Sequence, residues 1–183
     1  MHHSDISAIA SEYAMLQRYL GELRFAACLQ CCMTQPASWR RVADELPNLL
    51  SRSAHHTPEI AELAQLERAM RIAFEAAETQ SGTCNTLHPS VSLLTFEHNT
   101  ASLWSALICG EPPPRPYRLD QPQNLVIWRH KGNSRMRLLG EEEFLCISAL
   151  LDGRSQKPAT EFYVAGWLDS NVVWAATACP AEK

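Results

Sequence analysis

Ile6, Ile9, Ala10, Tyr13, Leu16, Tyr19, Leu20 and Leu23 recur at intervals of three and four behind Ser4, a good N-cap residue. That spacing predicts one amphipathic helix from Ser4 to Leu23. The segment FAACLQCCMTQ is apolar almost all round and predicts a buried helix that Pro36 ends. Trp39 to Leu50 reads as a shorter helix interrupted near Pro47. Thr57-Pro58 then opens a strong one, with threonine as cap, proline at the first helical position and Glu59 and Glu62 near the positive end of the helix dipole. Its inward stripe is Leu63, Leu66, Met70, Ala73, Phe74 and Ala77.

Beyond Thr79-Gln80-Ser81-Gly82 the period shortens. Val91 to Phe96 is a mostly apolar run suited to a strand covered on both faces. Asn99 caps a helix through Cys109, and the proline-rich Gly110 to Pro116 excludes regular structure. Leu125 to His130 and Arg135 to Leu139 flank Lys131-Gly132-Asn133-Ser134, the signature of a β-hairpin. Glu141 to Leu151 is a helix closed by Asp152-Gly153, Ala159 to Leu168 another, and Val172 to Ala176 a strand or a helix end. The expected fold is therefore α+β: a helical N-terminal domain, residues 1–80, followed by a small antiparallel sheet with helices, residues 81–183, in a winged-helix or peptide-recognition-like order.

A chain of 183 residues with 46% hydrophobic and 20% charged residues is long enough to bury about 70% of its unfolded surface. No apolar run reaches the ~18 residues of a membrane helix, and the N-terminus lacks the basic flank and apolar region of a secretory signal. The expectation is a cytoplasmic protein whose seven scattered cysteines are free thiols. A net charge of −4 disfavours nucleic acid, although Arg115, Arg118, Arg129, Lys131, Arg135 and Arg137 face only Asp120 across residues 112–139.

Candidate chemistry is sparse. Cys28, Cys31 and Cys32 invite a metal reading, but a closed site needs about four ligands and no second CxxC or HxxxH exists, so they read as small helix-packing hydrophobes. His2, His3, His55 and His56 are adjacent pairs near helix starts and read as solvated. His88 and His98 bracket the first strand; fully extended, that places them roughly 30 Å apart, beyond one ion's reach. Glu141-Glu142-Glu143 reads as a solvated first helical turn. No nucleophile elbow, P-loop or dinucleotide fingerprint occurs. No catalytic residue and no metal ligand are therefore assigned. The hairpin is the most informative feature: Arg135 and Arg137 share one face, Met136 and Leu138 the other, and at a sheet edge this strand can accept an extended peptide. The alternative is an edge strand protected by arginine.

The segments Leu63-Ala64-Gln65-Leu66-Glu67-Arg68-Ala69 with Phe74-Glu75-Ala76-Ala77-Glu78, Leu87-His88-Pro89-Ser90-Val91-Ser92-Leu93-Leu94, Leu103-Trp104 and Leu125-Val126-Ile127-Trp128-Arg129 follow one another across about residues 58–170. In that order they resemble the HvfC/BufC-type partner proteins of multinuclear non-heme iron oxidases, and the compact length is most similar to the MbnC type of methanobactin biosynthesis. The resemblance implies a non-catalytic subunit that forms a heterodimer with an MbnB-like iron oxidase and holds the leader of a ribosomally made precursor peptide (a RiPP). The partner would carry the iron, with no cofactor in this chain, and would use dioxygen to convert cysteines to oxazolone and thioamide groups of a copper chelator. It also directs attention to Arg135, Met136, Arg137, Leu138 and Leu139 as the leader-binding edge, with Tyr163 and Trp167 as groove walls. The first 50 residues match only as a helical pattern and are expected to supply further enzyme contact, since a stable interface buries more than ~1,200 Å². Three alternatives stay open: a BufC/HvfC-type partner of another cysteine-rich peptide, a winged-helix DNA-binding protein, and a metal-handling protein using Cys28, Cys31 and Cys32.

Overall fold

The Ser4–Leu23 periodicity forms three helices rather than one: α1 (His3–Glu12), α2 (Ala14–Leu20) and α3 (Glu22–Cys32). The computed structural model describes residues 3–32, 38–76 and 87–153. The first break falls at Tyr13, whose φ of −124° and ψ of 51° leave the helical region; the second falls at Gly21, where φ is 76° and glycine alone carries little penalty. Breaking a helix at Tyr13 leaves new N–H groups without intrahelical partners. Glu67 supplies the acceptors, its Oε1 receiving Met15 N at 2.7 Å and its Oε2 receiving Leu16 N at 2.8 Å. A side chain 51 residues downstream thus does the work of an N-cap.

Helix α4 (Trp39–Arg52) is capped by Ser38, which accepts from Arg41 N, and runs through Pro47 without interruption. Proline has no N–H, so the carbonyl of Ala43, four residues back, loses its helical donor. The hydroxyl of Tyr13 donates to that carbonyl at 2.5 Å, and Tyr13 is fully buried. The helix expected to break is held by a neighbour's phenol. Helix α5 (Pro58–Glu75) begins where Thr57-Pro58 predicts. Leu63, Leu66 and Ala73 are buried as expected, but Phe74 is 56% exposed, its ring lying under the Arg129 guanidinium at 5.8 Å.

Strand β1 (Ser92–His98), helix α6 (Thr100–Cys109), strands β2 (Arg118–His130) and β3 (Asn133–Leu139) and helix α7 (Glu141–Leu151) complete the described elements. The fold is α+β: seven helices among the described residues and a three-stranded antiparallel sheet in the order β1-β2-β3. Strand β2 begins seven residues before the predicted Leu125, and the residues from Glu111 to Tyr117 form no regular element. The helix expected at Ala159–Leu168 and the element expected at Val172–Ala176 lie outside the described residues. No described helix is long and apolar enough to cross a membrane.

Two units are discontinuous in sequence. The first comprises residues 1–69 and 96–123, and its core joins Ile9, Tyr13, Leu16, Phe25, Leu29, Leu46, Leu50, Leu63 and Leu107. Within it, Glu62 collects backbone donors from Glu97 (2.9 Å) and His98 (3.3 Å), the Thr100 hydroxyl (2.5 Å) and a contact with His98 Nδ1 (3.1 Å). Asn99 precedes α6 but does not cap it with its side chain. It turns instead to the proline-rich segment, donating to Arg115 O at 3.0 Å and accepting from Tyr117 N at 2.9 Å. The second unit comprises residues 70–95 and 124–183, with a core of Val91, Val126, Trp128, Cys146 and Ile147 flanked by Leu87, Leu93, Leu139 and Leu150. His88 belongs to this unit and is buried; its Nδ1 receives Ser90 N at 3.2 Å and lies 2.6 Å from the Ser90 hydroxyl oxygen. Ser90 Oγ in turn accepts from Arg129 N at 2.8 Å, which leaves its own proton for His88 and makes the imidazole a neutral acceptor. Burial, with the Arg129 charge second, lowers the His88 pKa in the same sense.

Candidate functional site

The hairpin closes through Lys131 (φ 49°) and Gly132 (φ 78°), a two-residue turn with both residues left-handed, as the sheet twist favours. It fixes the register His130↔Asn133, Trp128↔Arg135, Val126↔Arg137 and Asn124↔Leu139. In such a hairpin the turn-closing pair exchanges both backbone bonds and alternate pairs thereafter do the same. Arg135, Arg137 and Leu139 therefore direct their N–H and C=O groups toward β2. Ser134, Met136 and Leu138 direct theirs to the opposite side, which no strand occupies among the described residues.

The side chains alternate across the pleat. Arg135, Arg137 and Leu139 share a face with Val126 and Trp128, the face packed with Cys146 and Ile147 of α7. Met136 and Leu138 share the other with Leu125 and Ile127, which are fully buried. Leu138 is 52% exposed and Leu145 of α7 59%, so apolar surface is available on both this strand and the helix that follows it. Arg135 is exposed, and Met136 and Leu139 are half-buried. Arg137 is committed: its Nη2 and Nη1 meet the Glu143 carboxylate at 2.6 and 3.0 Å. Glu143 is buried, so the acidic run is not uniformly solvated; its third member ties the first turn of α7 to β3. Tyr163 and Trp167 lie outside the described residues.

Part of the basic patch is engaged by other groups of the chain. Arg118 pairs with Glu97 at 2.8 Å, Arg129 donates to the Phe74 carbonyl, and Arg137 holds Glu143. The two charges paired with carboxylates, Arg118 and Arg137, contribute less to counterion release from a nucleic-acid backbone, which counts against the DNA-binding alternative, whereas Arg129 keeps its charge.

A second group lies in the first unit. Cys28 and Cys32 are four residues apart on α3 and so share a face, and His56 approaches them from the turn before α5. One ligand atom from each lies within 4.8 Å of the other two. The sequence predicts a solvated His56, yet its Nε2 is buried without a hydrogen-bond partner among the described residues, and burial, with His55 second, lowers its pKa. The Cys28 thiol is pushed up by its hydrogen bond with Cys32 and by burial, and the Cys32 thiol is pulled down by the same bond. A cavity of about 370 Å³ adjoins the group, lined among others by Arg24, Cys31 and His55. Helical spacing makes the Cys28–Cys32 pairing readable from sequence. Nothing local announces His56, 24 residues beyond Cys32, because only tertiary packing brings it there.

The chain matches no model of a known protein family, and a search of curated protein sequences finds no match.

Proposed function

We propose that this chain is a non-catalytic, cytoplasmic subunit that pairs with an MbnB-like multinuclear iron oxidase and holds the leader of a ribosomally made precursor peptide, so that the partner converts the precursor's cysteines to oxazolone and thioamide groups. The observation that carries the reading is β3. It is an edge strand among the described residues, its outward backbone groups belong to Ser134, Met136 and Leu138, and apolar side chains stand exposed on it and on α7. An extended leader added there gains backbone hydrogen bonds along its length and seats alternate side chains on the two faces. Arg135 offers a positive charge beside that edge, whereas Arg137 acts on the leader only through the position of β3. Iron and dioxygen chemistry belong to the partner in this reading.

The register singles out a clean test. Leu138 points its N–H away from β2, so Leu138→Pro removes one donor from the edge and none from the β2-β3 ladder. Leader affinity should fall at least about tenfold, one lost backbone bond plus the poorer fit of the ring being worth about 1.4 kcal/mol. Unchanged affinity in a folded Leu138→Pro chain, or failure of the chain to co-purify with its oxidase, would reject the proposal.

A further inference from the structure

We propose that Cys28, Cys32 and His56 form a binding site for one thiophilic d¹⁰ cation, Zn²⁺ or Cu⁺. The ligand set is two thiolates and an imidazole, the donors that soft and borderline metals select over calcium or magnesium. Around one zinc ion, ligand atoms at about 2.3 Å (sulfur) and 2.1 Å (nitrogen) stand roughly 3.5–3.8 Å apart. The three atoms here already lie within 4.8 Å of one another, so a contraction of about 1 Å brings them to those spacings.

Two further features favour a ligand. Nε2 of His56 is buried and has no hydrogen-bond partner among the described residues, a costly arrangement for an imidazole that only packs and the expected one for an imidazole awaiting an ion. The adjoining cavity of about 370 Å³ gives the ion a way in and leaves room for a fourth ligand, as in sites with three protein ligands and an open position. On binding, the ion displaces two thiol protons to solvent and takes the vacant imidazole lone pair, with no change of oxidation state. The site lies wholly in the first unit and uses none of the residues of the β3 edge, so it stands or falls independently of the leader-binding proposal.

The test uses the full, reduced chain, titrated in separate arms with Zn²⁺ and Cu⁺ against a chromophoric competing chelator; Co²⁺ in place of Zn²⁺ reports thiolate ligation through its charge-transfer absorption. One ion per chain is expected, with affinity reduced at least about tenfold in Cys28→Ser, Cys32→Ser and His56→Gln. Cys109→Ser, at an exposed residue outside the cluster, should bind as the parent does. The tighter arm identifies the ion. Cys28 is only 3% exposed; if its serine variant fails to fold, His56→Gln, at a half-buried turn, decides the matter. Failure of both ions to bind at one equivalent, or binding unchanged in His56→Gln and Cys32→Ser, would overturn the proposal.

Discussion

Removing the Tyr13 hydroxyl should cost far more beside Pro47 than beside an alanine. In the native chain the Ala43 carbonyl has lost its helical donor to Pro47 and receives the phenol at 2.5 Å, with Tyr13 fully buried. Tyr13→Phe leaves that carbonyl unsatisfied in the core, a loss of about 1–3 kcal/mol. In Pro47→Ala the new N–H at position 47 reaches the same carbonyl, so Tyr13→Phe in that background should cost about 1 kcal/mol less. Other contacts of the hydroxyl are common to both backgrounds and cancel in the cycle. Urea unfolding of the four proteins measures the difference. With a slope of about 2 kcal/mol per molar, a 2 kcal/mol loss moves the midpoint by about 1 M. Equal costs of Tyr13→Phe in the two backgrounds, within about 0.3 kcal/mol, would refute the idea that the phenol replaces proline's missing donor.

Burial raises the Glu67 pKa to about 7, against its two backbone N–H bonds, so the native state binds a proton that the unfolded chain has already released above pH 4.5. Its contribution is fully present below pH 4.5 and is lost as pH rises through 7; Glu67→Gln should flatten that decline in urea titrations at pH 5–8, and an unchanged pH slope would count against it. His56 and His88, both lowered, give the opposite slope and are common to parent and variant, so the difference between the two isolates Glu67. Lys131 adopts a left-handed φ of 49° ahead of Gly132, and Lys131→Asn should raise stability by about 0.5 kcal/mol, seen as a thermal midpoint higher by about 1–2 °C, whereas Gly132→Ala should lower it. A midpoint unmoved by either change would contradict the turn assignment.

The elements visible in the sequence are those whose determinants are local. Thr57-Pro58 starts α5, Lys131-Gly132 makes the turn, and Gly153 follows α7 with a φ of 65°. The misreadings share one cause. Tyr13 breaks a periodic helix because Glu67 waits to receive the freed N–H groups, and Pro47 fails to break one because Tyr13 stands beside it. Each compensation comes from a residue more than 30 positions away or buried across a helix pair, where no window of sequence reaches. The same holds at the candidate sites. The alternation of residues 135–139 was legible, but the Arg137–Glu143 pair and the direction of each edge N–H needed the register and the following helix. His56 could be joined to Cys28 and Cys32 only in three dimensions.

Residue-resolved amide exchange of the chain with and without the leader peptide tests the central proposal most directly. Arg135, Arg137 and Leu139 already donate to β2 and should change little. Ser134, Met136 and Leu138, whose N–H groups face the side of β3 that no strand occupies among the described residues, should slow markedly in alternation when a leader strand adds. Leader binding that leaves those three amides as fast as in the free chain would place the peptide elsewhere and contradict the proposed edge.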